Sequence, residues 1–430
     1  MFARNPISGS HPQGNLRVRQ GRDLWFGEAP DATKIAPCPV GSVGLMGADY
    51  SDLCFDPIIA EGDAVVLGQT LCTDRHQPSI TLVAPCAGRV ESITRGARRR
   101  LKTLVITPEG SDTATFDVPS DPSDSAALRD VLLKSGAWVS FRTRPFGRVP
   151  HAEATPAAIF ITATDTRPLA ADPRAVLSDL SEQFQRGVTA IHDLTQGPIF
   201  LCQPEGPALV PAMDRLRIVQ VSGPHPAGLA GTQTHHLFPV SEIRTVWEIN
   251  AQDVAAIGHL LMTGTVMGTR VVSVAGTGVT QPQLLRAPLG AAISDLTRGR
   301  LAAPGVRALT GSPLDGRDLP YLARRDVQVS AVLPTPSRAG VFGWFERVTA
   351  TKDGATLPME AFERSFPFDL LPAPLMRALA SGDVESAQRL GCLELLEEDM
   401  ALLTEICPSG CDYGVLLRQT LDVLAEDLSA

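Results

Sequence analysis

Between residues 156 and 278, short apolar runs alternate with helical patterns, and this alternation constrains the fold more than any other feature. Ala158–Thr162, Ile218–Val221 and Arg270–Ala275 have the composition of strands, and residues 251–263 have the apolar spacing of a helix. Strands separated by helices predict a parallel or mixed sheet covered by helices. Ligands of such sheets bind where the strands end.

Three further segments of this domain are predicted from weaker patterns. Ala175–Arg186 has the apolar spacing of one helix, Val188–Ile191 is predicted to be a strand, and Leu209–Leu216 is predicted to be a helix. The loops Thr162–Thr166 and Ser222–Gly231 each follow a predicted strand. We therefore expect both loops at the ligand-binding edge of the sheet.

The turn Ser222–Gly231 contains Gly223, Gly228 and Gly231, and we expect these glycines to adopt conformations closed to other residues. Two prolines in the turn remove N–H donors that a bound phosphate needs, so the turn is a poor flavin phosphate cradle. His225 lies in it, and His235 and His236 follow. No cysteine or acidic cluster accompanies these histidines, so hydrogen bonding within the turn is favoured over a metal site.

Asp165 and Asp172 flank an arginine and leave two interpretations open. Paired carboxylates could perform acid–base chemistry, but Asp172-Pro173 is typical of a helix start. The capping interpretation is favoured. Cys407 and Cys411 could likewise be a metal pair, but no second pair lies nearby, so two thiols at a helix end are favoured.

Residues 15–110 are rich in short strand-like runs separated by turns, which predicts a small β domain. Glu61–Gln69 and Ala84–Ile93 resemble the hairpin of biotinyl and lipoyl carrier domains. In that family a lysine at the hairpin tip carries the cofactor. Asp74–His76 occupies the tip here, so we expect an unmodified structural copy of a carrier.

The remaining chain divides by composition. Residues 111–155 form a linker segment with a helix near Ser125–Ser135, and strand-like runs such as Phe342–Arg347 mark residues 279–355. Four helical segments separated by glycines predict a helical domain over residues 356–430: Pro374–Ala380, Val384–Leu390, Glu394–Ile406 and Tyr413–Glu426. Residues 1–14 are polar and rich in Pro, Gly and Ser, which is typical of a disordered extension.

Composition excludes several classes of protein. The net charge of −9 argues against a nucleic-acid binder, although Arg95–Lys102 is a local basic segment. That segment is interpreted as a solvated hairpin rim or a contact for an acidic partner or phospholipid headgroups. The loop Thr335–Gly343 is a second candidate docking surface. The eight cysteines do not suggest a disulfide framework, and the apolar runs are too short to span a bilayer.

Four segments together resemble one family: Phe141–Phe146, Thr162–Pro173, Ser222–Gly258 and Arg364–Glu398. They are similar to the A component of the sodium-translocating NADH:quinone reductase. This resemblance implies a Rossmann-like α/β domain at 156–278, followed by a β-grasp-like module and a C-terminal helical bundle. It implies a peripheral subunit on the cytoplasmic face of the bacterial inner membrane, on the quinone-reducing side, in contact with the membrane-embedded B component. The complex uses NADH, FAD, FMN, riboflavin, iron–sulfur centres and ubiquinone.

The resemblance also frames the candidate site. The glycine turn lacks the N–H donors that a flavin phosphate needs, the two cysteines lack a second pair, and the hairpin tip lacks a lysine. We therefore expect that this chain binds no redox cofactor. Gly223, His225, Gly228 and Gly231 are the candidate contacts for quinone or a partner subunit, with turn bracing favoured for His225. Two alternatives stay open: a flavin and iron–sulfur electron-input subunit of the Rnf or complex I type, and a non-catalytic adaptor.

Overall fold

The computed structural model describes residues 13–50, 52–119, 121, 124–333, 356 and 358–427. The strands are β1 Gln13–Arg17, β2 Ile35–Pro37, β3 Val43–Met46, β4 Phe55–Pro57, β5 Ala64–Val65, β6 Thr70–Asp74, β7 Thr81–Val83, β8 Gly88–Arg95, β9 Leu101–Pro108, β10 Arg142–Arg144, β11 Ala158–Thr162, β12 Ile199–Pro204, β13 Leu216–Ser222, β14 Val246–Asn250, β15 Thr269–Ala275, β16 Gln283–Pro288, β17 Arg307–Thr310 and β18 Gln328–Val332. The α-helices are α1 Ser125–Lys134, α2 Pro173–Val176, α3 Ser181–Ile191, α4 Ala230–Leu237, α5 Ala251–Thr263, α6 Ile293–Leu296, α7 Glu360–Ser365, α8 Pro372–Ser381, α9 Val384–Arg389, α10 Glu397–Ile406 and α11 Tyr413–Asp427.

A six-stranded sheet in the order β1-β13-β12-β11-β14-β10 forms the centre of the α/β domain. Its strands are parallel except β10, which pairs antiparallel with β14. The side chains of β11 are buried from Ala158 to Ile161, because helices cover parallel sheets on both faces. Helix α5 begins where predicted, and Asn250 caps it by accepting a hydrogen bond from the Gln252 amide at 2.8 Å.

Three of the local predictions are wrong. The predicted helix Ala175–Arg186 is divided into α2 and α3, and the predicted strand Val188–Ile191 forms the end of α3. The apolar side chains of Val188–Ile191 are compatible with a helix because they pack against α5. Residues 209–216 are not helical, because Gln203 accepts a hydrogen bond from the Leu209 amide and donates one to the Pro207 carbonyl, which holds this segment as a loop.

Two small sheets, β3-β9-β8-β5 and β4-β6-β7, form the N-terminal β domain. The residues before it contribute to other sheets: β1 pairs with β13, and β2 pairs with β16. At the predicted carrier tip, buried Asp74 accepts hydrogen bonds from the amides of Cys54, His76 and Gln77. This aspartate therefore fixes the turn of the hairpin.

A five-stranded sheet in the order β17-β18-β15-β16-β2 follows the α/β domain and forms what we call the mixed-sheet domain. The predicted strand Phe342–Arg347 lies outside the described residues, and the β-grasp assignment stays a prediction. Helices α7–α11 form the C-terminal helices, and α8–α11 lie close to the bounds of the four predicted segments. They surround an apolar cluster of their own, whereas the N-terminal β domain and the α/β domain share one continuous apolar core.

Candidate functional site

The turn Ser222–Gly231 follows β13 and is packed against the protein on several sides. Gly223 has φ +136°, a conformation that favours glycine, and an added Cβ would meet the Val18 carbonyl. Gly228 and Gly231 have ordinary φ values, so the expectation of unusual conformations was wrong for these two. Glycine is needed there for space, because a Cβ would meet the Thr166 amide at Gly228 and the Asp399 carboxylate at Gly231.

This packing tests whether the turn fits a flavin phosphate. Such a group needs free N–H donors and open space beside the glycines. The space beside all three glycines holds other parts of the chain, and the Gly228 amide already donates to the Thr166 hydroxyl at 2.8 Å. The residues present do not fit a phosphate cradle.

His225 is 2% exposed and contacts two neighbouring segments, Arg22–Asp23 and the loop after β11. Its amide donates to Asp23 at 2.9 Å, and its carbonyl accepts from the Arg22 amide at 2.7 Å. The Thr166 hydroxyl, which accepts from Gly228, lies 3.3 Å from Nδ1. Burial, with Arg167 nearby, lowers the pKa of His225 to about 4, so the ring is neutral at neutral pH. The backbone of His225 thus holds the turn to Arg22 and Asp23, and its ring contacts Thr166.

The other two histidines lie on α4. The His235 Nδ1 lies 2.7 Å from a Glu394 carboxylate oxygen, and its Nε2 accepts from the Asp369 amide at 2.9 Å. Both ring nitrogens are therefore occupied in tying α4 to the C-terminal helices. His236 packs edge-on against the ring of His235. Among the described residues, no group of three or more His, Cys, Asp or Glu side chains is placed to hold a metal.

A buried charge network joins the α/β domain to the C-terminal helices. Arg144 on β10 is fully buried and contacts three carboxylates: Glu248 at 2.6 Å, Asp399 at 2.8 Å and Glu398 at 3.0 Å. Arg142, two residues earlier on the same strand, reaches Glu398 at 2.8 Å and Glu397 at 3.1 Å. Pairing in register with β14 places Glu248 directly opposite Arg142.

Two carboxylates of the network, Glu398 and Asp399, have displaced pKa values. Burial alone raises a carboxyl pKa, but Arg142 and Arg144 lower the pKa of Glu398 to about 2. Burial, reinforced by Glu398, raises the pKa of Asp399 to about 6 despite its contact with Arg144. Sequence reasoning missed this network. The available signals were the Arg-Thr-Arg spacing on a strand and the run Glu397-Glu398-Asp399 at a helix start.

Beside the network lies an open cleft of about 540 Å³ that many charged side chains line. Its walls come from the loop after β11, the loops around β17 and β18, and helices α10 and α11. Arg167 spans it, with Asp315 at 3.0 Å and Asp165 at 3.4 Å. Burial raises the pKa of Asp326, on the cleft wall, to about 6.

The capping interpretation of Asp172 is confirmed, because this carboxylate accepts a hydrogen bond from the Arg174 amide at 2.9 Å at the start of α2.

Two other sequence features lie away from the cleft. The side chains of Arg98, Arg99, Arg100 and Lys102 are exposed on the hairpin between β8 and β9. Cys407 is buried, and its thiol lies 3.1 Å from the Ser409 hydroxyl and 3.4 Å from the Tyr413 hydroxyl. The predicted docking loop Thr335–Gly343 lies outside the described residues. No helix in the described part of the chain is long and apolar enough to cross a membrane.

Three family models match the chain: the NqrA N-terminal barrel-sandwich hybrid domain at residues 16–109, the NqrA second alpha/beta domain at 123–266, and the NQRA C-terminal domain at 271–320. A solved chain of an NAD⁺-reducing [NiFe]-hydrogenase is 14% identical, covers 71% of this chain and 62% of its own, and has a TM-score of 0.41, too low for any argument.

Relatives match over nearly the whole chain. The A component of the Na(+)-translocating NADH-quinone reductase of Marinomonas is 39% identical over 96% of this chain and 99% of its own length. The A components from Histophilus somni and Neisseria gonorrhoeae are each 38% identical over 96% of this chain and 100% of their own. The barrel-sandwich match and the α/β sheet agree with the predicted classes of the first two domains. The chain belongs to the NqrA family, the A components of the Na⁺-translocating NADH-quinone reductases.

Proposed function

We propose that this chain is a peripheral subunit of a sodium-translocating NADH:ubiquinone oxidoreductase and that it works on the quinone-reducing side of the complex. In this proposal it lies at the cytoplasmic face of the bacterial inner membrane, contacts the membrane-embedded B component and binds no redox cofactor. The near-complete overlap with relatives named as the A component of this reductase carries the proposal.

The packing of the glycine turn supports the cofactor-free part of the proposal. The edge at which an α/β sheet binds a ligand phosphate is filled here by Val18, Thr166 and Asp399. The hairpin tip supports it as well, because Asp74–His76 offers no lysine for an amide-linked cofactor. The chain therefore acts as a binding and assembly subunit while other subunits carry the electrons.

Reconstitution with the remaining subunits tests the assembly claim. Tagged chain should recover the membrane subunits and restore sodium-dependent NADH:quinone activity to a complex that lacks its A component. The isolated chain should show no stoichiometric flavin absorbance and no mass increment on a lysine of residues 61–95. A flavin band at one equivalent would instead support the electron-input alternative, and failure to recover membrane subunits would support a free adaptor.

Charge reversal of the basic segment tests one docking surface. Because Arg98, Arg99 and Arg100 are exposed, their triple replacement by Glu should leave the fold intact but reduce recovery of the membrane subunits. A control with the same change of charge elsewhere replaces three other exposed arginines by Glu: Arg19, Arg217 and Arg244. Equal recovery of partners by the two variants would remove the basic segment from the docking surface.

His225→Ala tests the predicted quinone-side contact. A bracing role predicts a less stable chain whose assembled complex keeps its apparent KM for ubiquinone. A contact with quinone or with a partner near it predicts a raised apparent KM, with unchanged electron transfer from NADH to flavin. Loss of both activities would indicate misassembly and count against this use of the turn.

A further inference from the structure

Arg325 lines the cleft beside the charge network, and among the arginines of the described cleft walls it is the one that forms no ion pair with a described residue. The other wall arginines each contact a carboxylate oxygen at 3.2 Å or closer: Arg142, Arg167, Arg317 and Arg418. Charged groups that are taken out of water are normally paired, so this exception needs a physical explanation.

The guanidinium of Arg325 also makes few hydrogen bonds. Its Nε–H is buried and has no partner among the described residues. Its Nη2 lies 3.5 Å from the Phe141 carbonyl oxygen, which is at the limit of a hydrogen bond. A guanidinium carries five N–H donors, and this side chain is only partly exposed. Several donors therefore remain for a ligand in the cleft.

The charges around Arg325 do not compensate it. Burial and the like charge of Arg142 lower its pKa, and the carboxylates of Asp52 and Glu248 act on it only from beyond ion-pair distance. Both carboxylates have other partners: Asp52 accepts from a backbone amide at 2.8 Å, and Glu248 accepts from Arg144 at 2.6 Å. A desolvated cation in these surroundings costs free energy that a bound anion would offset.

The other charges of the cleft limit the charge of that anion. The described walls include five arginines and seven carboxylates, and Arg325 is the arginine that these carboxylates leave unpaired. A phosphate group, with a charge between about −1.5 and −2 at neutral pH, would be repelled by the excess of carboxylates. A carboxylate carries one negative charge and matches the planar fork of a guanidinium. The cleft therefore favours a singly charged carboxylate.

The size of the cleft, about 540 Å³, is that of a small-molecule site, and its walls also include the apolar side chains of Leu314 and Val415. We propose that the cleft binds a small monocarboxylate with an apolar body, and that Arg325 donates hydrogen bonds to its carboxylate oxygens. This site is distinct from the turn at His225, and the inference does not depend on the proposed function.

Three probes of similar shape test the charge of the ligand. Benzoate carries one negative charge, benzamide carries none, and phenylphosphonate at pH 8 carries more than one. Each probe is titrated into the full chain at constant ionic strength and followed by ligand-observed NMR. Benzoate should bind at least several-fold more tightly than either of the others. Equal binding of benzoate and benzamide, or tighter binding of phenylphosphonate, overturns the proposal.

Two variants with the same change of charge locate the site. Arg325→Gln should weaken benzoate binding at least about tenfold, the size expected for hydrogen bonds to a charged group. Arg317→Gln removes an arginine of the same cleft that is already paired with Asp49, and it should bind benzoate like the wild type. Equal affinity of the wild type and Arg325→Gln, or equal losses in the two variants, overturns the assignment.

The melting temperature without ligand separates a binding role for Arg325 from a structural one. Because Arg325→Gln removes a cation that the described chain does not compensate, the variant should melt no lower than the wild type. A lower melting temperature would show that the chain itself uses this charge, and it would overturn the premise of the site. Recovery of the membrane subunits by the wild-type chain, which tests the proposed function, does not depend on these results.

Discussion

The α/β domain meets its two neighbours in opposite ways. Toward the N-terminal β domain it shares a continuous apolar core that includes Leu71, Leu132 and Trp247. Toward the C-terminal helices it presents Arg142 and Arg144 to a cluster of carboxylates. Apolar contact is non-directional and tolerates small shifts, whereas buried ion pairs demand one geometry. The first interface supplies cohesion, and the second fixes the position of α10 beside the cleft.

Arg144→Ala should have the largest effect on the charged interface. Removing this guanidinium leaves Glu248 and Asp399 buried without their main partner and removes one of the two arginines that contact Glu398, and breaking a buried ion pair costs about 3–5 kcal/mol. Chemical denaturation followed by circular dichroism measures the loss. Arg364→Ala, which removes an exposed ion pair with Glu360, is the control and should behave like the wild type. A loss for Arg144→Ala no greater than that of the control would contradict a structural role for the network.

Leu132→Ala probes the apolar interface. This leucine on α1 is fully buried in the shared core, and such truncations cost about 2–5 kcal/mol. The loss should be nearly independent of pH and of salt, unlike that of Arg144→Ala. Leu371→Ala, at a side chain 58% exposed, controls for the change of residue type. A marked pH dependence of the Leu132→Ala effect would break the contrast between the two interfaces.

Gly228→Val tests the close approach of the turn to the loop after β11. The added side chain meets the backbone of Asp165 and Thr166, and such overpacking costs about 1–3 kcal/mol. Gly96→Val, where an added Cβ meets no atom closer than 3.9 Å, should be far milder. Thermal unfolding compares the two variants. Equal melting temperatures would show that the loop yields without strain.

His225 should make the stability of the turn depend on pH. Between pH 6.5 and pH 4 the unfolded chain holds a proton that the folded chain lacks, so the free energy of unfolding falls as the pH drops. From pH 7.5 to 5 the loss is at most about 2 kcal/mol. Asp326 and Asp399, with pKa values raised to about 6, act in the opposite direction.

Comparison with His225→Gln isolates the histidine, because both chains contain the same carboxylates. The wild type should lose more stability than this variant as the pH falls from 7.5 to 5. Exposed His76→Gln serves as the control and should follow the wild type. If wild type and His225→Gln lose stability equally, the ring is not held neutral by burial.

The order of elements could be predicted from the amino-acid sequence where the apolar periodicity extended over a whole helix or where capping residues marked its ends. Residues 251–263 and the helices after Pro372 lie within two or three residues of prediction, because apolar spacing and caps act locally. Short patterns failed: Val188–Ile191 is apolar enough for a strand, but packing against α5 makes it helical. The turn at Gly228 was recognisable from its glycines. The sequence did not show whether each glycine is needed for a positive φ or because a Cβ would collide with a neighbouring segment.

The charged interface exists only through the packing of the domains. Arg144 and Asp399 are 255 residues apart, and no local pattern states that two such distant charges meet in a buried site. Periodicity records which face of an element is buried, whereas the partner of a buried polar group is set by the packing of distant segments.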